Sequence, residues 1–157
     1  YFPEKAASVW GSALDAGRAK RDPSLGPLEV VPATASLAIG EDVTGLLELG
    51  RPMQALYIGG MGAKGRNFYN DLVVKYGYEA EAAAIQDAYL EGRKDEAAAL
   101  VPASLLEGTS LIGPRSWVAE RVAAFRESGV TTLNVAPIAQ THAERVRLIE
   151  QIRDIAA

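Results

Sequence analysis

A chain of 157 residues with 48% apolar and 23% charged residues has enough material for one domain with a sizeable core. The net charge is −4, and Lys and Arg are scattered among acids, so there is no basic footprint for nucleic acid. No Cys and a single His, His142, exclude disulfides, thiolate sites and His-rich metal cages, and no apolar run approaches the ~20 residues of a membrane span.

The first predicted element is a helix from about Pro3 to Arg21. Pro suits a first helical position, where its missing N–H has no partner anyway. Trp10, Ala13, Leu14 and Gly17 then form one stripe at helical spacing. Lys20 and Arg21 suit the helix C-terminus, and Asp22-Pro23 blocks continuation. From Leu28 to Ile39 the chain is apolar on both alternating faces, the pattern of a strand buried on both sides. The expected strand covers Val30 to Ser36, with a bulge or unpaired edge at Pro32, which lacks a ladder donor.

Gly40-Glu41-Asp42 opens a helical stretch. Val43, Leu46, Leu47 and Gly50 keep helical spacing, as do Leu49, Met53, Leu56 and Tyr57. Pro52 between them predicts a kink or break near Gly50. Gly59 and Gly60 offer a helix stop. A Gly-rich loop follows to Gly65, then a short helix carrying Tyr69, Leu72, Val73 and Tyr76, and an Ala-rich helical stretch from Glu79 to Leu100. Residues 102–111 read as one or two more helical turns. Val118, Val122 and Phe125 mark a helix that ends at Gly129. Val130 to Val135 is a β-branched run typical of a buried parallel strand. Thr141 and Glu144 form a capping box at the start of a last helix, with Leu148, Ile152 and Ile155 as its buried stripe.

The order is that of an α/β protein with a parallel sheet or barrel. Two parallel strands alone cannot form a stable layer. Either the middle hides a strand or the rest of the sheet lies on other residues.

Gly60-Met61-Gly62-Ala63-Lys64-Gly65 is a literal G-x-G-x-x-G. In a nucleotide-binding module that loop follows a strand and opens a helix whose N–H groups take a pyrophosphate. Gln54 to Ile58 is the available strand, yet residues 43–57 carry helical spacing. The required acid should end a second strand, whereas 79–100 reads as helix. The glycines otherwise cap one helix and let the chain turn into the next. Lys64, Arg66 and Asn67 are polar groups on a Gly-rich loop, where ligand-binding residues concentrate. His142 reads as a surface residue, and the acids between Glu79 and Glu96 as a solvated helix face.

Three stretches resemble the luciferase-like flavin and deazaflavin oxidoreductases. The first is Ala55-Leu56-Tyr57-Ile58-Gly59-Gly60-Met61-Gly62 with Asn67-Phe68-Tyr69-Asn70. The second is Tyr76-Gly77-Tyr78-Glu79 with Ile85-Gln86-Asp87 and Gly92-Arg93-Lys94. The third is Leu111-Ile112-Gly113-Pro114 with Val118, Glu120-Arg121 and Gly129 to Leu133. The first two are similar to members that use the deazaflavin coenzyme F-420. The resemblance implies the C-terminal portion of a (β/α)8 TIM-type barrel, with residues 1–157 as part of one barrel domain. It makes 29–37 and 130–136 the last two strands and 41–112 a helical insertion between them. A barrel takes about 250 residues, so the N-terminal part of the same barrel is the implied partner. The opening Tyr1, in place of Met, fits a processed or internally cut chain.

The implied activity is hydride transfer between coenzyme F-420, or FMN in the alternative, and a small organic substrate, in a cytoplasmic homo-oligomer. Thr34 and Ser36, with Ala136 and Pro137, are expected at the barrel mouth as pocket-shaping groups. None of them is an acid or base at neutral pH. Gly60, Met61, Lys64, Arg66 and Asn67 are expected on a lid formed by the insertion, with Lys64 and Arg66 meeting an anionic group. The acid/base groups belong to the earlier strands. The rivals are a Rossmann-like nucleotide-binding module on Gly60, Gly62 and Gly65, and a non-catalytic helical interaction module.

Overall fold

The computed structural model describes residues 1–157, which form two units. One comprises Tyr1–Thr44 with Gly108–Ala157, and the other Gly45–Glu107.

The first unit is mixed α/β. After a 3-10 turn at Pro3–Lys5, helix α1 runs Ala6–Ala19, close to the expected range. Of its residues only Ala6 is fully buried. Strand β1 covers Ala35–Ile39, β2 Leu111–Gly113 and β3 Val135–Pro137. They pair in parallel in the order β2-β1-β3, with Leu37 opposite Leu111 on one side and Ala35 opposite Val135 on the other.

Both expected strands are displaced toward the C-terminus, and Pro32 explains the first shift. The Val30 carbonyl accepts the Thr131 N–H at 3.0 Å, and the Val30 N–H donates to Thr131 Oγ1 at 2.9 Å. That local clasp does not extend across a proline without an N–H. The ladder begins where Ala35 N–H reaches Asn134 O at 2.9 Å. Strand β2 corrects the expectation of a helical turn reaching Leu111. The helix there stops at Thr109, and three residues are too few to carry a periodicity.

Helices α7 (Arg115–Glu127) and α8 (His142–Ala156) supply the core under the sheet. Ala35, Leu37 and Leu111 meet Val118, Val122, Phe125 and Ile152. The capping box is as expected: Glu144 N–H donates to Thr141 Oγ1 at 3.2 Å, and Thr141 N–H to Glu144 Oε2 at 3.0 Å. Those backbone bonds hold the Glu144 carboxyl below its ordinary range. On the opposite face, Ser36 and Ala136 stand in register and exposed.

The second unit is helical. A 3-10 segment, Thr44–Gly50, leads to α2 (Arg51–Ala55), so the break comes at Gly50 with Pro52 in the first turn, where it costs no hydrogen bond. A π-helical turn, Leu56–Gly60, continues α2. Then come α3 (Phe68–Lys75), α4 (Glu79–Leu90), α5 (Lys94–Ala99) and α6 (Ala103–Thr109), the last running across the boundary between the units. Ile58, Val73, Ala82, Ile85, Ala88, Ala97, Val101 and Leu105 form the unit's interior. No helix of the chain is long and apolar enough to cross a membrane.

Candidate functional site

The Gly-rich loop of the helical unit is preceded by helix, because residues 51–60 form α2 and its π turn. The strand that a Rossmann-like module requires is therefore absent, and that rival reading is overturned. The helical stretch ends at Gly60, where a stop was expected, with both glycines inside the π turn. A Cβ at Gly59 would come within 2.4 Å of Tyr89 Cβ, and one at Gly60 within 2.4 Å of Tyr89 Cε1. They are glycine so that the Tyr89 side chain of α4 can lie on the backbone. At Gly62 a Cβ would meet the Arg66 carbonyl at 2.4 Å, and Gly65 has φ +70°, so the loop folds back on itself at these two points.

Three side-chain amides fix that loop. Asn67 is 2% exposed. Its Oδ1 accepts the N–H groups of Tyr69 (3.0 Å) and Asn70 (3.3 Å), capping α3. Its Nδ2 donates to the carbonyls of Tyr57 (3.0 Å) and Ile58 (2.9 Å) in the π turn. Asn70 Nδ2 donates to Ile58 O at 3.1 Å and Ala82 O at 2.8 Å, and Gln86 Nε2 to Gly62 O at 3.3 Å. Expected among ligand-facing groups, Asn67 instead has its whole amide occupied by the chain's own backbone. Asn70 and Gln86 escaped the sequence reading as site-shaping groups. The one available signal was the pair of Asn residues three apart beside the glycines.

What the loop presents outward is Met61, Lys64 and Arg66, all exposed. Lys64 forms an ion pair with Asp87 of α4, both partly exposed. Arg66 is a cation with no carboxylate in salt-bridge range. Phe68 and Tyr69 continue the exposed surface, and Tyr69 stands edge-on to Tyr57 with centroids 4.6 Å apart.

In the α/β unit, the sheet's carboxyl edge is set by Gly40 N–H on Gly113 O (3.0 Å) and Ile138 N–H on Leu37 O (2.8 Å). Gly40-Glu41-Asp42, Pro114-Arg115-Ser116 and Ile138 to Thr141 emerge there. Ala136 and Pro137 close β3, but in register with Ser36 and Leu37, so they stand level with the first half of β1 and short of this edge. Thr34 and Ser36 do not reach it. With β1 beginning at Ala35, Thr34 precedes the strand and Ser36 is its second residue, so both stand at the amino end. The cause is again the proline, which delays the strand. No group of three or more His, Asp or Glu residues is placed to hold a metal.

Residues 1–132 match the family described as luciferase-like monooxygenase. The chain belongs to that family. Over its full length it is also 30% identical to a Mycobacterium tuberculosis protein whose name assigns it as a coenzyme F-420-dependent oxidoreductase. The chain spans 43% of that relative's length. The luciferase-like match takes in α1, β1, the helical unit, β2 and α7, and ends just before β3.

Proposed function

We propose that this luciferase-like chain is the C-terminal portion of a (β/α)8-barrel oxidoreductase that transfers hydride between coenzyme F-420 and a small organic substrate. One observation carries the barrel part. The sheet is wholly parallel, α7 and α8 cover one face, and on the other Ser36 and Ala136 are open while Ala38 and Ile112 are buried. A parallel sheet is stable only with both faces covered and its edges paired. The open patch at Ser36 and Ala136, the outer edges of β2 and β3, and the exposed Val146 and Ile149 of α8 are the surfaces that the earlier strands and helices of a barrel would meet. The N-terminal part of the same barrel is thus the proposed partner, with residues 41–112 as its insertion. Membership of the family and the likeness to a named deazaflavin-dependent relative support the choice of coenzyme.

The residues of this chain fit a planar coenzyme in a limited way. Gly40 stands at the carboxyl edge, where barrel enzymes build their sites, and Ala136 and Pro137 close β3 beside Ser36 and Leu37. Their small or rigid side chains leave room for a flat ring and supply no competing charge. The bound deazaflavin would supply the hydride chemistry at its ring carbon. The chain's own share is to shape the wall and exclude water. Thr34 and Ser36 fall at the far end of β1, and we give them wall positions only. On the helical unit, Arg66, with Lys64 beside it, is the group for an anionic moiety of substrate or coenzyme, presented by the backbone of Gly60 and Met61.

The test is a fluorescence titration of the full-length apoprotein with coenzyme F-420 and, separately, with FMN. Saturable deazaflavin binding with weak FMN binding is expected. Tight FMN binding with no response to the deazaflavin would transfer the assignment to an FMN-dependent monooxygenase of the same fold. Arg66→Ala is expected to raise KM for substrate or Kd for coenzyme about tenfold, the loss of roughly one charge-assisted contact. Unchanged values for both would remove Arg66 from the site.

A further inference from the structure

The helical unit leaves the α/β unit by one connection and returns by another, and the two are built differently. The leading connection is the 3-10 segment Thr44–Gly50. It has no buried residue, and a Cβ on Gly45 would meet nothing within 4 Å, the one close approach being at its last residue, Gly50, to Leu106. The return connection, residues 108–113, is gripped at both ends by α7. Arg121 is 6% exposed. Its Nη2 donates to the Gly108 carbonyl at 2.8 Å and to Glu4 Oε2 at 3.1 Å, and its Nη1 pairs with Glu4 Oε1. The Phe2 ring fills the place of a Gly108 side chain, because a Cβ there would lie 2.5 Å from Phe2 Cε2. One turn earlier on α7, Trp117 sits over Gly113, where a Cβ would be 2.7 Å from the indole. The Arg121 guanidinium lies 5.9 Å from that same ring.

We infer that Arg121 is a positioning residue: it clamps the return connection to α7 and to the N-terminal turn, while the leading connection is the compliant one. Burying a guanidinium is costly, more so here because its Nε has no hydrogen-bond partner. The charge stays buried because Glu4 and the Gly108 carbonyl compensate it together. The guanidinium's planar fork brings two separate nitrogens to acceptors on separate segments, whereas a lysine offers a single nitrogen and cannot reproduce the bidentate pairing with Glu4. The clamp also fixes β2, and with it the Gly113 carbonyl that receives Gly40 at the sheet's carboxyl edge.

Amide hydrogen exchange on the full-length protein tests it. In the wild type, residues 109–113 are expected to be well protected and 45–49 to exchange fast. In Arg121→Ala, 109–113 should exchange roughly tenfold faster or more, the shift that follows loss of charge-assisted hydrogen bonds. The fast exchange at 45–49 and the protection of Leu37 should not change. Arg121→Lys should recover only part of the lost protection. Glu4→Gln, the milder variant if Arg121→Ala does not fold, should loosen 109–113 by a smaller factor. Equal protection of the two connections in the wild type would overturn the inference. So would unaltered exchange at 109–113 in both Arg121→Ala and Glu4→Gln, or full rescue by lysine.

Discussion

The two units satisfy their backbones in opposite ways. In the helical unit, each helix closes its own hydrogen bonds, and the irregular stretch between α2 and α3 is completed by Asn67, Asn70 and Gln86. In the α/β unit, β1 is paired on both sides while β2 and β3 each show an outer edge without a strand. Helical hydrogen bonding is local, whereas a sheet needs partners from elsewhere. A unit of the first kind can be complete within a short segment. One of the second kind is complete only when its neighbours are present.

That contrast can be tested hardest at Leu37, which is fully buried in the α/β core. Leu37→Ala should cost about 3 kcal/mol, within the usual range for a cavity-forming change. Urea unfolding checks it, and a loss below about 1 kcal/mol would mean that Leu37 does not anchor this core. Asn67→Ala addresses the helical unit. It removes the α3 cap and both bonds to the π turn, and should cost about 2–3 kcal/mol by thermal or chemical unfolding. A loss below about 0.5 kcal/mol would show that the loop does not depend on that amide. Gly60→Ala should cost about 1–3 kcal/mol, because the Tyr89 ring must move. Tyr89 fluorescence or a crystal structure of the variant would reveal the displaced ring.

The smallest effects concern the caps and acids of the α/β unit. Thr141→Ala should lower stability by about 1 kcal/mol. Glu4 and Glu144 both have carboxyls held below their ordinary value of 4.5, Glu4 chiefly by its hydrogen bond from Arg121, Glu144 by the Thr141 backbone. A lowered folded-state pKa means that the carboxylate's stabilisation is complete above the unfolded value. It is lost as pH falls through the folded one. Unfolding midpoints should therefore hold steady from neutrality to about pH 5 and then fall, and Glu144→Gln should flatten part of that fall. A flat profile in the wild type would remove both acids from the account.

The same local and non-local divide decides what could be read in the sequence. Much of the helical unit was legible: the break at Gly50, the short helix after the loop and the start of the Ala-rich helix follow from spacing, glycine and proline alone, although the expected stretch from Glu79 to Leu100 divides at Gly92, φ +84°, into α4 and α5. The capping box at Thr141 and Glu144 was legible for the same reason. The strands were not, because their limits depend on partners far along the chain. Val30 carries a strand-like pattern but engages only Thr131 and Thr132, and β2 is three residues that acquire their state from β1. Site residues suffered accordingly. Thr34 and Ser36 were expected at the mouth on the strength of a strand placed five residues early. Asn67 looked available because the carbonyls it binds, in a π turn, leave no trace in periodicity.

The pairing of Leu37 with Leu111 and of Ala35 with Val135 has a consequence for biosynthesis. As the polypeptide is made, β1 emerges long before either strand that will flank it. Closing so long a gap in an unstructured chain is entropically slow. A helical segment that condenses on its own during that interval replaces a long floppy tether with a compact one. The rate at which the central strand finds its neighbours is then governed by how early residues 45–107 fold.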